Sequence, residues 1–168
     1  MSRTKSTVAE ESNSPIFSGR PMEISMLENS DQRVQLLPHN AHLVTIEQAR
    51  ESLDEAVQLL IELQVMNDYA HDLTGEMEIL LEDLEPEDEH VVEVADTLAT
   101  TIRNWQIISS KLSLTGARVA SLDPGRLEWY GVVDGEIALY SWCFGEEDIE
   151  WYHHADATYL TRKPLIEA

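Results

Sequence analysis

Across Gly116 the spacing of apolar residues changes from alternating steps of three and four to steps of two. The first spacing lines up side chains on one face of a helix and the second on one face of a strand, so this chain must build helices before the glycine and strands after it. Upstream, Ile46, Ala49, Leu53, Ala56, Leu60 and Leu63 make one stripe, which Val57, Leu59 and Met66 widen toward a globular face. Thr45 and Gln48 are placed to open that helix, each side chain bonding the other's backbone N–H. Val91, Ala95, Leu98, Ile102, Trp105, Ser109 and Leu112 make a second stripe. Between the two, residues 76–96 crowd ten acids around Pro86. Proline is tolerated in a first helical turn and acids favour the positive end of the helix dipole, so Pro86 is expected to open the second helix. The pattern predicts an antiparallel helical hairpin, 45–84 and 86–115, packed as in a coiled coil and closed by Gly116.

Downstream, Arg126 to Tyr130, Glu136 to Cys143 and Ile149 to His153 alternate as short strands do. Asp123-Pro124-Gly125, Asp134-Gly135 and Gly145-Glu146-Glu147-Asp148 supply the turns. A three-stranded antiparallel meander over 126–153 is expected, followed by a C-terminal segment, 154–168. Three strands persist only with one face covered, and the hairpin is the cover at hand. The predicted fold class is therefore α+β, a long antiparallel helical hairpin on a small three-stranded antiparallel sheet, forming a single domain over 41–168. Residues 1–40 are rich in Ser, Asn, Glu and Pro, and their apolar residues keep no period. They read as a disordered tail, within which Met22 to Leu27 is a candidate docking motif.

Charge excludes several partners. The chain carries 32 acids against 11 Lys and Arg, a formal net charge of −21. Nucleic acid is expected to be no partner, because that affinity rests on cations displacing counterions, and anionic membranes repel such a surface. No run approaches the roughly twenty apolar residues of a membrane span, and the N-terminus lacks the apolar core of a secretory signal. Cys143 is the single cysteine, so the chain forms no internal disulfide and no thiolate metal cage. A soluble cytoplasmic protein is the expectation.

Gly135 to Pro164 concentrates the residues that can do chemistry: Trp142, Cys143, Glu146, Trp151, His153, His154, Asp156 and Arg162. Glu146 and His153 are the candidate catalytic pair, since both types transfer protons near neutral pH when tuned. Trp142 and Arg162 are the candidate ligand contacts. Glu146, His153 and Asp156 are weak candidates for a divalent metal, mixed N and O donors suiting zinc, manganese or iron; otherwise no cofactor is expected. The plainer reading has His153 bonding a carboxylate or carbonyl at the sheet edge, Arg162 held by Glu146 or Asp156, and Trp142 with Trp151 as a core cross-strand pair. The acid tract lacks the spaced Asp/Asn and Gly of a calcium loop, and no nucleophile elbow, P-loop, dinucleotide fingerprint or HExxH helix occurs.

Several of these segments resemble a bacterial family of unknown function, number 2203. Leu43-Val44-Thr45-Ile46-Glu47-Gln48-Ala49 is similar to its opening F-T-L-E-E-A, and Leu122-Asp123-Pro124-Gly125-Arg126-Leu127-Glu128-Trp129 to its D-L-x-x-G-L-V-D-F. Trp142-Cys143-Phe144-Gly145-Glu146 with Ile149, Trp151, Tyr152 and His153 resembles C-W-x-x-G-E-x-x-I-x-x-W-H, and Arg162 with Pro164 resembles G-R-x-P. The likeness spans Leu43 to Leu165 and implies an architecture but no activity. The family's cysteine before the tryptophan is Ser141 here, and Thr158 and Thr161 stand for the glycines near its closing arginine. Two functions are expected from these readings: an interaction or assembly module that binds a protein partner or dimerises through the hairpin, or a small-molecule or metal site, with hydrolysis as the reaction it could carry, at the Trp142, Glu146, His153 and Arg162 corner.

Overall fold

The computed structural model describes residues 37–38 and 41–166; the tail expected over 1–40, with its Met22 to Leu27 motif, lies almost wholly outside them. Helix α1 runs Ile46–Leu80 and helix α2 Glu89–Leu114. Thr45 caps α1 as its sequence requires: its hydroxyl accepts from Gln48 N–H at 3.0 Å while the Gln48 amide oxygen accepts from Thr45 N–H at 2.9 Å. The helices pack together as a hairpin, and His90 near the start of α2 faces Glu76 on α1 at 4.0 Å. Pro86 does not open α2. Proline disfavours helical geometry at Glu85, so the tip stays a turn, and Asp88 becomes the cap by accepting from His90 N–H at 2.9 Å.

The sheet has five antiparallel strands in chain order, not three: β1 Ala117–Leu122, β2 Gly125–Val133, β3 Glu136–Cys143, β4 Trp151–His154 and β5 Lys163–Pro164. Asp123 and Pro124, read above as a lead-in to the first strand, are the two-residue turn between β1 and β2, joined by a cis peptide and closed by the pairing of Leu122 with Gly125. β1 shows little alternation because its run, ARVASL, bears few large apolar residues and its register slips between Val119 and Ser121. β5 pairs only Lys163 and Pro164 with β4, too short for any periodic signal. Asp134 and Gly135, with φ of 55° and 80°, make the tight hairpin that their sequence announces between β2 and β3.

One face of the sheet meets the helices. Ala117, Leu127, Trp129, Ala138, Tyr140, Trp142 and Tyr152 join Leu53, Ala56, Leu60, Leu63, Ile108 and Leu112 in one apolar core. Leu60, Leu63, Leu127 and Trp129 are fully buried there, and burial of a side chain of this size contributes about 1.5–3 kcal/mol. Polar ties fix the layers: Trp129 Nε1 donates to Ser52 Oγ at 3.0 Å and Gln64 Nε2 to the Leu122 carbonyl at 2.8 Å. Ile149, expected in a strand, enters the core from the loop before β4, where the Arg50 guanidinium donates to its carbonyl at 2.8 and 3.1 Å. At Gly131 the Tyr140 ring lies directly over the backbone, in the space a Cβ would need.

Candidate functional site

Because side chains alternate along a strand, the residues between those core positions point away from the helices. Arg118, Arg126, Glu128, Tyr130, Leu139, Ser141, Trp151 and His153 thus share the outer face, and the chain from Ala155 to Leu165 crosses back over part of it. Register places His153 level with Leu139 and Glu128 level with Ser141. The two side chains therefore reach for one another diagonally over β3, and His153 Nε2 lies 3.1 Å from Glu128 Oε2. Both are buried, at 4% and 8% side-chain exposure. His153 Nδ1 is 2.9 Å from the His154 carbonyl. A carbonyl only accepts, so Nδ1 carries a hydrogen and Nε2 is the nitrogen turned to the carboxylate. Arg118 Nη1 donates to the other oxygen of Glu128 at 2.8 Å.

Beside this pair opens a cleft of about 640 Å³, walled by Arg118, Arg126, Glu128, His153, the rings of Tyr130 and Tyr159, and the apolar Leu139 and Leu160. Tyr159 sits on the short 3₁₀ turn Tyr159–Thr161. The Arg126 guanidinium lies 4.2 Å from the centre of its ring and that of Arg162 4.4 Å. A hydrogen bond with the Cys143 thiol and burial push the Tyr159 phenol above its ordinary pKa, against the pull of Arg162.

Glu146 and Arg162 form a second cluster on the same face. Arg162 Nη2 donates to Glu146 Oε2 at 2.9 Å and its Nη1 to Oε1 at 3.3 Å, with Ser141 Oγ at 3.4 Å and the Trp151 ring centre 5.1 Å away. Glu146 Oε1 also accepts from Cys143 N–H at 2.8 Å. Trp142 faces the other way, into the core at 3% exposure, and touches this cluster only where its indole N–H donates to the Glu146 carbonyl at 2.9 Å.

The corner expected from the sequence is thus divided. Glu146 and Arg162 meet, His153 is engaged by Glu128 instead, and Asp156 is exposed in the turn after β4. Trp142 and Trp151 are not a cross-strand pair, since Trp151 stands opposite Ser141 and on the other side of the sheet. Among the described residues no three or more His, Cys, Asp and Glu side chains gather closely enough to hold a metal ion, Glu146, His153 and Asp156 included. The residues the sequence reading passed over are Arg118, Arg126, Glu128 and Tyr159. Two of them were within reach of it: in RLEW, Arg126 and Glu128 alternate with Leu127 and Trp129, and a meander drawn to register brings Glu128 within two strands of His153.

A family model described as an uncharacterized conserved protein, DUF2203, matches residues 42–165. The chain belongs to the DUF2203 family. The match takes in both helices and all five strands, so the outer-face cleft lies wholly inside the DUF2203 region. No curated protein and no solved structure matches the chain. No helix among the described residues is long and apolar enough to cross a membrane.

Proposed function

We propose that this DUF2203 protein is a binding module whose ligand sits in the outer-face cleft beside Glu128 and His153, and that it is not a hydrolase working through Glu146 and His153. The observation that carries this reading is that the two candidate proton carriers are held by partners within the protein, in separate clusters. Each nitrogen of His153 already has a partner, and the two carboxylate oxygens of Glu146 are taken by Arg162 and by Cys143 N–H. Acid and base working as a pair must meet at one reacting centre, and Glu146 and His153 are engaged apart. The cleft, by contrast, is open and falls within the roughly 300–1,000 Å³ of small-molecule sites. Ala157 lines it, and Ala157→Trp fills it with an indole. In a thermal-shift screen of small metabolites the expected ligand raises the Tm of the wild type and leaves the Ala157→Trp variant unmoved. Hydrolytic turnover that survives Ala157→Trp and disappears in His153→Gln would overturn the reading.

The hairpin supports a second reading, assembly with a protein partner or a second copy of the chain. Val65, Tyr69 and Ile102 are exposed by 63%, 49% and 46% beside a recess of about 220 Å³ lined by Met66, Ala70 and Trp105. Large apolar side chains left exposed on one helical hairpin are the kind of surface that a partner covers. Sedimentation velocity over a wide concentration range tests it: association lost in Ile102→Glu supports assembly, and a monomer at every concentration that also retains no partner from its host extract removes it.

A further inference from the structure

Resting on the cleft as the ligand site, we infer that the ligand is a small organic oxyanion, a carboxylate or phosphate ester on a compact apolar body, and that Arg126 is its anchor. Arg126 differs from the other arginines described in this chain. Arg118 is paired with Glu128, Arg162 with Glu146, Arg50 with the Ile149 carbonyl and Asp148, and Arg103 with Thr100. Among the described residues the Arg126 side chain makes no hydrogen bond and no ion pair, only the stack on Tyr159 at 4.2 Å. Its Nε is buried without a partner. A buried donor left unmet is costly, and in a chain with 32 acids a carboxylate could readily have been placed beside it.

The surroundings favour an anion for the same reason. Glu128 is the one acid among the residues lining the cleft, and Arg118 and His153 already engage its two oxygens. The local balance is therefore cationic on a molecule of net charge −21, and it repels a metal ion or an amine. Stacking on Tyr159 holds the planar guanidinium in one orientation, so its fork of donors is already arranged for two oxygens of one group. Tyr130, Leu139 and Leu160 supply apolar wall for the rest of the ligand.

The probes are phenyl phosphate and benzoate, with benzamide as the neutral counterpart and inorganic phosphate as the bare anion, titrated calorimetrically into the full chain at low salt. Phenyl phosphate or benzoate is expected to bind at least tenfold more tightly than benzamide. Arg126→Gln should lose that preference, Arg126→Lys should retain part of it, and Arg103→Gln, an exposed helix arginine, should behave as wild type. If Arg126→Gln does not fold, Arg126→Lys decides alone: it keeps the charge and loses the fork, and unchanged affinity in it refutes the anchor. Equal binding of benzamide and the anions, both abolished by Ala157→Trp, overturns the oxyanion and leaves the cleft as a ligand site. Anion binding that persists in Ala157→Trp overturns both. Binding of no probe, or of inorganic phosphate alone and undiminished in Arg126→Gln, also sinks the inference.

Discussion

Removing Glu128 tests whether the outer face is held by a true charge pair. In Glu128→Leu the His153 ring keeps its bond to the His154 carbonyl, but Nε2 faces hydrocarbon at a position only 4% exposed. Breaking a buried pair by deleting one partner costs about 3–5 kcal/mol, because the group left behind is neither solvated nor matched. Glu128→Gln should cost far less, about 1 kcal/mol, since the amide can still donate to a neutral imidazole while the ion pair to Arg118 is lost. Substituting both partners, Glu128→Leu with His153→Leu, removes the stranded polar atom as well as the pair. The double variant should therefore be more stable than Glu128→Leu alone, with a coupling of about 1–3 kcal/mol in the cycle. Urea unfolding followed by tryptophan fluorescence measures all four proteins. Strictly additive losses, or a Glu128→Leu cost below that of Glu128→Gln, would refute the pairing.

Three further outcomes rest on single side chains of the core and the helix cap. Gly131→Ala drives a methyl group into the Tyr140 ring and should lower stability by about 1–3 kcal/mol, read as a lower urea midpoint at unchanged slope. Thr45→Ala removes the side-chain half of the reciprocal cap and should cost about 1 kcal/mol, with hydrogen exchange quickening first at the start of α1. Burial pushes the Tyr140 phenol above its ordinary 10.0. A group whose pKa is raised on folding contributes stability that is complete below its unfolded value and lost as pH climbs through the folded one. The Tyr140 contribution to the urea midpoint should therefore be constant below about pH 10 and be lost above it, so Tyr140→Phe should blunt the alkaline fall.

The layers were more legible than the site. The two apolar stripes, the Thr45–Gln48 cap and the Asp134-Gly135 turn are local signals, each set by residues within a few positions of one another, and the helices and the β2–β3 hairpin formed where they indicate. β1 escaped because ARVASL gains its structure from pairing with β2, and β5 because two residues carry no period. The helix start after Pro86 was missed for a related reason, as Asp88 offers a side-chain acceptor that proline lacks. At the site, Arg162 found Glu146 across a loop the sequence could close. His153 found Glu128 two strands away, which depends on register, and register was not fixed by the residues near His153. Trp142 was grouped with the polar residues by proximity in sequence, yet the strand's alternation sends it to the core.

β2 writes two instructions in alternate letters. Its Leu127 and Trp129 are immobilised by the helices, while Arg126, Glu128 and Tyr130 between them meet nothing of that layer. Arg126 and Tyr130 can therefore be exchanged at little expense to folding, whereas Glu128 is tied to His153, and whichever side chains stand on that face are carried on a backbone that the hidden letters keep still.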